Sequence, residues 1–353
     1  MNTKVITCME DDDKGCLAEA GSIIRQGGLV AFPTETVYGL GGDALNPLSS
    51  KKIYEAKGRP SDNPLIVHIC CFADIYRIVS DAPEHRQMLE VAGRLADAFW
   101  PGPLTMILPK ADTVPFETTG GLSTVAVRFP SHRTAQALIA AAGGFVAAPS
   151  ANTSGRPSPT LAKYVLEDMD GRIDMVIDGG EVGIGLESTI VDLTVEPAEI
   201  LRPGYVSREM LQEVLGRVET DKACSGESEQ TPRAPGMKYR HYAPNGDMTI
   251  VSGKKENVAA YINRQTELAK SEGKRSGVIA TDETAAGYRA DIVKSVGSRT
   301  DELSAARHLY TILREFDEEG AEAIYSEAFE GDGIGEAVMN RLLKAAGYHI
   351  IQV

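Results

Sequence analysis

A cluster of basic and polar residues between positions 57 and 68 has the composition of a binding site. Lys57 and Arg59 are followed by Asn63 and His68 within eleven residues, and two prolines restrict the loop between them. A lysine offers an anion a point charge, and the guanidinium group of an arginine donates two parallel hydrogen bonds. A lone lysine at a helix end is explained by the helix dipole. The whole cluster favours an anion site over a solvated loop.

Hydroxyl and carboxyl side chains follow the short apolar run at 29–32. The segment PTETVYGLG at 33–41 places Thr34, Glu35, Thr36 and Tyr38 on a turn after that run. Binding loops often lie where a rigid strand ends. A tight turn that uses its hydroxyl groups and glycines for local hydrogen bonds explains the same residues equally well, so this segment alone leaves both interpretations open.

A third polar segment, PSANTSGRPSPT at 149–160, contains Ser150, Asn152 and Ser158. Ser158 followed by Pro159 is typical of a helix N-cap and a first helical turn. Unpaired backbone N–H groups at a helix N-terminus attract anions. We therefore predict that Ser158 caps the helix at 160–168 and that an anion lies near its N-terminus. A structural turn with a cap explains Ser158 and Pro159, but not the polar run before them.

Alternating strand-like and helix-like runs predict an α/β domain with a large mixed sheet around these segments. Its predicted strands are 29–32, 64–70, 104–108, 124–129, 145–148, 175–178 and 189–193, and its helices are 15–25, 49–56, 84–99, 132–142 and 160–168. A second pattern indicates a small Rossmann-like parallel sheet. Its strands are 248–251, 277–281, 292–295, 323–326 and 349–353, and its helices are 255–271, 304–318 and 335–346.

Composition limits the classes of function. A formal net charge of −14, from 36 basic and 50 acidic residues, provides no broad positive field for nucleic acid. The sequence contains no run of 18 apolar residues that would predict a membrane span, and its acidic N-terminal segment is unlike a secretory signal. Five cysteines without C-x-x-C spacing favour reduced thiols in a cytosolic protein.

The sequence lacks the two common glycine-rich motifs of nucleotide-binding proteins. No Walker A loop is present, which excludes a P-loop NTPase. The GDGIG sequence at 331–335 departs from the dinucleotide-binding fingerprint, because its third glycine comes one residue too early. It indicates a tight strand-to-helix connection instead.

The polar segments together resemble the YrdC-like threonylcarbamoyl-AMP synthase family in its long two-domain form. The matching motifs follow the family's order: PTETVYGLG at 33–41, KGRP and NPL with His68 at 57–68, PSANTSGRPSPT at 149–160, ESTIVD at 187–192, LRPG at 201–204 and PGMKYRHYAP at 235–244. The resemblance covers essentially the whole chain, including Asn340-Arg341-Leu342. It implies a YrdC-like twisted mixed-sheet domain with flanking helices, followed by a small Rossmann-like domain.

The resemblance also implies an activity. L-threonine, bicarbonate or CO2, and ATP would give threonylcarbamoyl-AMP and pyrophosphate, the first step of the tRNA N6-threonylcarbamoyladenosine modification. Mg²⁺ would accompany ATP through phosphate oxygens and water rather than through a carboxylate cage. A downstream threonylcarbamoyl transferase complex would receive the product in the cytoplasm. Direct tRNA binding, and the choice between bicarbonate and CO2, stay open.

The family's functional residues carry over to matching positions. The implied threonine contacts are Thr34, His68, Arg128 and Ser188. The implied ATP contacts are Lys57, Arg59, Ser61, Thr124, Ser150, Asn152, Ser158, Arg202 and Tyr242. Lys57 and Arg59 would also be catalytic, because they would stabilise charge that develops on the phosphates.

The composition changes after Arg217, which predicts a domain boundary. Residues 219–230 are polar and poor in bulky apolar side chains, as in a linker. We predict a catalytic domain at 1–217, a linker or lid at 218–246 with the PGMKYRHYAP motif, and a C-terminal domain at 247–353. The basic segment 232–242 would close over the nucleotide as a lid, or dock as a charge run on an acidic surface.

Three other interpretations remain. The first domain could be a double-stranded RNA-binding module that acts in translation, although the net charge argues against it. The chain could be a carbamoyl-transfer enzyme related to hydrogenase maturation proteins, although those carry cysteine pairs that this sequence lacks. The C-terminal domain could bind a ligand of its own, or hold the linker and a partner protein.

Overall fold

A computed structural model describes residues 2–8, 14–221, 241–329, 331 and 333–353. The described residues form two compact units. The first contains residues 2–8, 14–154, 158–183 and 187–221, and the second contains residues 155–157, 184–186, 241–329, 331 and 333–353. Residues 222–240, which hold most of the predicted linker and of its PGMKYRHYAP motif, lie outside the described residues.

A mixed sheet of eleven strands forms the frame of the first unit. The strands are β1 (Lys4–Thr7), β2 (Val30–Phe32), β3 (Gly39–Asp43), β4 (Ile66–His68), β5 (Leu104–Pro109), β6 (Thr124–Arg128), β7 (Val146–Ala147), β8 (Met175–Asp178), β9 (Thr189–Asp192), β10 (Ala198–Arg202) and β11 (Val218–Thr220). Their order across the sheet is β1-β8-β2-β3-β7-β4-β6-β5-β9-β10-β11. The predicted mixed sheet is confirmed, but β1, β3, β10 and β11 were not predicted.

Helices flank this sheet. They are α1 (Lys14–Arg25), α2 (Pro47–Lys57), α3 (Ile75–Ile78), α4 (Arg86–Phe99), α5 (Phe116–Thr119), α6 (Arg133–Ala141), α7 (Ala162–Met169) and α8 (Arg208–Leu215). Helix α2 begins after Asn46, whose side chain accepts a hydrogen bond from the N–H of Leu48. It ends at Gly58, whose φ of 59° lies in the left-handed region that favours glycine. The chain therefore turns sharply directly after Lys57.

The helix predicted at 160–168 is present as α7, but the predicted N-cap at Ser158 is wrong. Helix α7 begins at Ala162, and its N-cap is Leu161. The segment before it is tied to neighbouring chain instead, since the carbonyl oxygen of Pro159 accepts a hydrogen bond from the N–H of Tyr38 at 2.9 Å. This long-range bond fixes the backbone at Pro159. The local N-cap signal therefore does not decide the conformation of the segment.

The two faces of the large sheet carry different apolar clusters. Side chains alternate between faces along a strand. Val67 and Val127 point into the main core of this unit. Ile66 and Ala126 belong instead to a separate small cluster on the opposite face, whose members are Ile66, Ile107, Ala126, Ile190 and Leu201. We call this small cluster the apolar floor.

The second unit is built on a parallel sheet of five strands. The strands are β12 (Asp247–Ser252), β13 (Ser276–Ala280), β14 (Ile292–Ser295), β15 (Ala323–Glu327) and β16 (Ile350–Gln352), in the order β14-β13-β15-β12-β16. The helices are α9 (Lys255–Ser271), α10 (Glu302–Glu318) and α11 (Ile334–Ala345). Every strand pair is parallel, which confirms the predicted Rossmann-like architecture.

Two further properties concern the described chain as a whole. Within it, none of the helices combines the length and the hydropathy that crossing a bilayer would require. The described cysteines, Cys8, Cys16, Cys70 and Cys71, form no disulfide bond, and Cys224 lies outside the described residues.

Candidate functional site

Neighbouring strands bring several of the predicted residues to one end of the large sheet. His68 ends β4, and Arg128 ends β6 as its register partner. Thr105, on antiparallel β5, pairs with Arg128. Ser188 directly precedes β9, and Arg202 ends β10. Four strand spacings of about 4.8 Å separate β4 from β10, so this row of polar residues is about 19 Å long.

The row lies on the face of the sheet that carries the apolar floor. His68 and Arg128 each follow a floor residue, Ile66 or Ala126, by two positions, so each pair points to the same face. An apolar surrounding lowers the local dielectric constant and strengthens interactions between charges. The arginines at this face can therefore bind anionic groups more strongly than surface arginines can.

Arg128 holds the turn that follows β2. Its Nη2 donates hydrogen bonds to Glu35 Oε1 at 2.7 Å and to Thr36 Oγ1 at 2.9 Å. The hydroxyl of Thr34 bonds to that of Thr36 at 2.9 Å and donates to the carbonyl oxygen of Val37 at 2.7 Å. The structure thus joins Thr34 and Arg128 through two residues, Glu35 and Thr36, that were not predicted as site residues.

Three buried polar atoms beside this turn have no hydrogen-bond partner among the described residues. They are Glu35 Oε2, Arg128 Nε and His132 Nδ1. Burial also lowers the pKa of His132, and the nearby Glu35 carboxylate opposes that shift. An unsatisfied buried polar group costs about 1–3 kcal/mol. Such groups are rare in folded proteins, so three together point to a ligand that completes them.

His68 is neutral in the folded protein. Its ring is buried, and burial together with the neighbouring Arg128 guanidinium lowers its pKa to about 3. Nδ1 lies 3.1 Å from the carbonyl oxygen of Ile66, and the ring packs edge-on against Phe32. Positive charge at this end of the sheet row therefore comes from Arg128 and not from His68.

Ser188 and Arg202 contact each other at the far end of the row. Arg202 donates from Nε to the Ser188 carbonyl oxygen at 3.0 Å and from Nη2 to its hydroxyl at 3.1 Å. The Ser188 hydroxyl also bonds to Thr105 Oγ1 at 2.7 Å. The predicted threonine contact Ser188 and the predicted ATP contact Arg202 are thus adjacent. Thr105 was missed because a single threonine in a β-branched strand carries no functional signal.

A second cluster forms around the end of α2. Lys57 is only 2% exposed, and its Nζ donates to the carbonyl oxygens of Ser150 and Asn152, each at 2.5 Å. The Ser150 hydroxyl donates to Asn152 Oδ1, also at 2.5 Å. The N–H of Ser154 returns to the carbonyl oxygen of Lys57 at 2.8 Å. Residues almost a hundred positions apart in the chain are therefore brought into one polar pocket.

Arg59 is held within its own loop. Its Nε donates to the carbonyl oxygen of Asn63 at 3.1 Å, and its Nη2 donates to Asn63 Oδ1 at 2.5 Å and to the carbonyl oxygen of Pro64 at 2.9 Å. The arginine itself is 9% exposed. These bonds fix the orientation of a buried cation two residues from Lys57.

The remaining predicted residues lie apart from these contacts. Ser158 donates to Glu187 Oε1 at 2.6 Å, and Ser61 is exposed on its loop. Thr124 begins β6 on the same face as Arg128, but about 13 Å along the strand. Tyr242 belongs to the second unit, where it stacks on Tyr310 with ring centroids 5.1 Å apart.

Comparison with known protein families assigns both parts of the chain. A family model described as "Telomere recombination" (Sua5_yciO_yrdC) matches residues 22–204. A model described as "Threonylcarbamoyl-AMP synthase, C-terminal domain" matches residues 206–347.

Individual relatives match over almost their full length. The threonylcarbamoyl-AMP synthase of Pyrococcus abyssi is 47% identical over 351 residues, which are 99% of this chain and 100% of that protein. The enzyme of the same name from Bacillus subtilis is 47% identical over 337 residues, which are 95% of this chain and 94% of that protein. A crystal structure of P. abyssi Sua5 complexed with L-threonine superimposes with a TM-score of 0.92 at 46% identity, covering 99% of this chain and 100% of the other.

Proposed function

We propose that this chain, which belongs to the threonylcarbamoyl-AMP synthase family, joins L-threonine, bicarbonate or CO2, and ATP into threonylcarbamoyl-AMP and releases pyrophosphate. The observation that carries the proposal is the buried ion pair between Glu35 and Arg128. Glu35 Oε2 and Arg128 Nε have no hydrogen-bond partner among the described residues. An amino acid carries an ammonium and a carboxylate on one carbon atom, and these groups complement an acceptor and a donor that lie side by side.

Threonine would lie at the end of the row nearest β2. Its carboxylate would accept from Arg128 Nε, and its ammonium group would donate to Glu35 Oε2. Neutral His68 adds a polar surface without a competing charge, because its pKa is lowered to about 3. Thr34 and Ser188 are the remaining proposed contacts, and their hydroxyl groups are already oriented by Thr36 and Thr105.

ATP would place its phosphates near the two buried cations that follow α2. Lys57 and Arg59 would stabilise charge on the α-phosphate and on the leaving pyrophosphate, as preorganised donors do in a site of low dielectric constant. The carbonyl oxygens of Ser150 and Asn152 accept hydrogen bonds from Lys57. Arg202 donates a hydrogen bond to the hydroxyl of Ser188, which is one of the proposed threonine contacts. Ser61, Thr124, Ser158 and Tyr242 remain proposed ATP contacts.

Mg²⁺ would enter with the nucleotide. The described side chains form no group of three or more His, Cys, Asp or Glu residues that could hold a metal ion. The ligands of Mg²⁺ would be mostly phosphate oxygens and water, as is usual in nucleotide sites. Its contribution would be to neutralise phosphate charge.

The reaction requires the ammonium group of threonine to lose a proton. Glu35 Oε2 would accept it, and the free amine would attack the carbon of CO2 or of bicarbonate. With CO2 the nitrogen would then release a second proton to solvent to give the carbamate. With bicarbonate that proton would leave with the hydroxyl group as water. An oxygen of the resulting carbamate would then attack the α-phosphorus, and the bond between that phosphorus and the bridging oxygen would break as pyrophosphate leaves. Since the carbamate and the mixed anhydride both hydrolyse readily, exclusion of water would matter as much as positioning.

The unstable product fits an intermediate that is handed on. A threonylcarbamoyl-transferring complex would consume it in the tRNA N6-threonylcarbamoyladenosine modification, and we place this chain in the cytoplasm with that complex. Residues 232–244, most of which lie outside the described residues, would act as a lid over the nucleotide.

Pyrophosphate release from ATP with Mg²⁺ tests the proposal. Release is expected only when L-threonine and bicarbonate are both present, with serine and alanine as amino-acid controls. Mass spectrometry of the product should show threonylcarbamoyl-AMP. Release that does not depend on threonine would refute the assignment of the Glu35–Arg128 pair to an amino acid, and no release from a folded protein would refute the activity.

A further inference from the structure

A cavity of about 230 Å³ opens in the second unit, among residues to which the proposed function assigns no role. It lies at the carboxyl ends of the adjacent parallel strands β12 and β15, where Val251 is the register partner of Glu327. The chain leaves β12 toward β13 and leaves β15 toward β16, in opposite directions across the sheet. Because such crossovers are right-handed, α9 and α11 lie on opposite faces, and a crevice remains between the two connections.

The position of this cavity is the usual place for ligands in open parallel sheets. Ligands of open α/β proteins bind outside the carboxyl ends of the strands, at the point where the connections diverge. The location therefore suggests a binding site, and the lining residues decide its chemistry.

One wall of the cavity is apolar and buried. Val251 is 0% exposed and Val258 is 6% exposed, and both belong to the core of this unit. Ala328 follows Glu327 and lines the same space. A hydrocarbon or aromatic group would bury its surface here, at about 25 cal/mol per Å².

The opposite wall is polar, and its carboxylate is already neutralised. Glu327 Oε1 accepts a hydrogen bond from the Tyr288 hydroxyl at 2.6 Å, and Oε2 accepts from Arg299 Nη2. Burial, and then the adjacent Glu327, raise the pKa of Tyr288, so the hydroxyl stays protonated. Glu327 therefore has no further charge to offer a ligand.

The residues that line the cavity carry one net positive charge, which comes from Lys255. It lines the cavity from the first turn of α9, and no salt bridge engages it within the described residues. Arg299 balances Glu327, so Lys255 adds one net positive charge to the lining. The side chain of Arg299 is 43% exposed, so its other N–H groups remain accessible from solvent.

The size of the cavity limits the ligand. At about 30 Å³ for each water in the liquid, its volume corresponds to roughly eight water molecules. That space accommodates a molecule of the size of an amino acid or a small aromatic acid.

We propose that the second unit binds a small organic anion, with its apolar body against Val251, Val258 and Ala328 and its carboxylate against Lys255 and Arg299. The site is separate from the proposed synthase site, and it does not depend on that assignment. A ligand here would stabilise the unit only in proportion to its concentration relative to its Kd.

Benzoate is a suitable probe because it combines an aromatic ring with one carboxylate. We would titrate the full-length ¹⁵N-labelled chain with benzoate, and follow the amide signals of Gly253, Lys255 and Ala328 by NMR. Benzamide has the same shape without the charge, and inorganic phosphate has charge without the apolar body. The expected result is a millimolar Kd for benzoate and at least about fivefold weaker binding of the other two probes.

Matched variants assign the site. Lys255→Gln should weaken benzoate binding about fivefold, whereas Lys254→Gln, at the adjacent exposed lysine, should leave it within about twofold. Ala328→Phe should fill the cavity and abolish binding. If that variant is unstable by thermal unfolding, the lysine pair still decides the question.

Several results would overturn the proposal. Absence of shifts at the cavity residues up to about 20 mM benzoate would exclude the site. Equal binding of benzamide would exclude an anion as the ligand, and equal binding of phosphate would exclude the role of the apolar wall. Equal losses in Lys255→Gln and Lys254→Gln would show nonspecific attraction. None of these measurements involves pyrophosphate release, so their failure would leave the proposed synthase activity unaffected.

Discussion

Glu35 in the first unit and Glu327 in the second are both largely buried carboxylates paired with an arginine, and they differ in what binds the second oxygen. Their side chains are 13% and 6% exposed. Glu327 uses both oxygens, one with Tyr288 and one with Arg299. Glu35 uses only Oε1, with Arg128, and its Oε2 has no partner among the described residues.

The difference indicates what each carboxylate is for. A buried carboxylate with every oxygen bonded stabilises its surroundings without a ligand. A buried oxygen without a hydrogen-bond partner lowers the stability of the folded protein. A ligand that donates a hydrogen bond to this oxygen removes the loss of stability. This contrast supports the proposal that a substrate completes the Glu35–Arg128 pair in the first unit. In the second unit the Glu327–Arg299 pair forms part of a cavity wall.

Arg128→Ala should have the largest effect of the four substitutions. It leaves the Glu35 carboxylate buried without its cation, which should lower the free energy of unfolding by about 3–5 kcal/mol. Threonine-dependent pyrophosphate release should fall by about 10²- to 10³-fold. Urea unfolding and the pyrophosphate assay measure the two effects. Arg217→Ala, at an exposed arginine, should change stability by no more than about 0.5 kcal/mol. Full activity in Arg128→Ala would contradict the assignment.

Glu35→Gln tests the charge of the Glu35 carboxylate separately, because it removes the charge and keeps the shape. The amide can still accept from Arg128, but it presents an N–H group where the threonine ammonium would bind. The KM for threonine should rise about 10- to 100-fold, which corresponds to about 1.5–3 kcal/mol for a hydrogen bond to a charged group. The KM for ATP should stay constant. A parallel rise in both KM values would show a general distortion instead of a threonine contact.

His68 should make the first unit sensitive to acid. Its folded pKa of about 3 lies below the unfolded value near 6.5, so the unfolded chain binds the extra proton between these pH values. Stability should therefore fall as the pH decreases through that window, by about 1.4 kcal/mol at pH 5.5. Urea unfolding at pH 7.5 and 5.5 should show this loss reduced in His68→Gln, but not in His349→Gln at an exposed histidine. Equal losses in the two variants would contradict it.

Tyr288→Phe should have the smallest effect. It deprives Glu327 Oε1 of its donor and should lower the free energy of unfolding by about 1–3 kcal/mol, with the lower end expected because Arg299 remains. Tyr54→Phe is the matched control, since the buried Tyr54 hydroxyl has no hydrogen-bond partner within the described chain. That substitution should be neutral or stabilising. A destabilising Tyr54→Phe with a neutral Tyr288→Phe would reverse the comparison.

Elements with a strong local pattern were predictable from the sequence. The prediction of a helix at 255–271 matches α9 at both ends, and the strand at 292–295 matches β14. Strand β3 was missed because its sequence, GLGGD, has low strand propensity. Packing explains its glycines: a Cβ atom on Gly41 would lie 2.9 Å from side-chain atoms of Phe32 and Val146. Such a requirement comes from the assembled sheet, so no local pattern reports it.

Local sequence patterns predicted most of the longer helices and strands, and the motifs carried the family resemblance and named the polar groups available to a site. Only the tertiary structure decided which of those groups meet. Arg128 and Glu35 are 93 residues apart in the chain, and Ser188 and Thr105 are 83 residues apart. Helix and strand periodicity arises from backbone hydrogen bonds and local burial, which nearby residues report. Contacts between distant residues depend on strand order and register, and these are set by the packing of the whole domain.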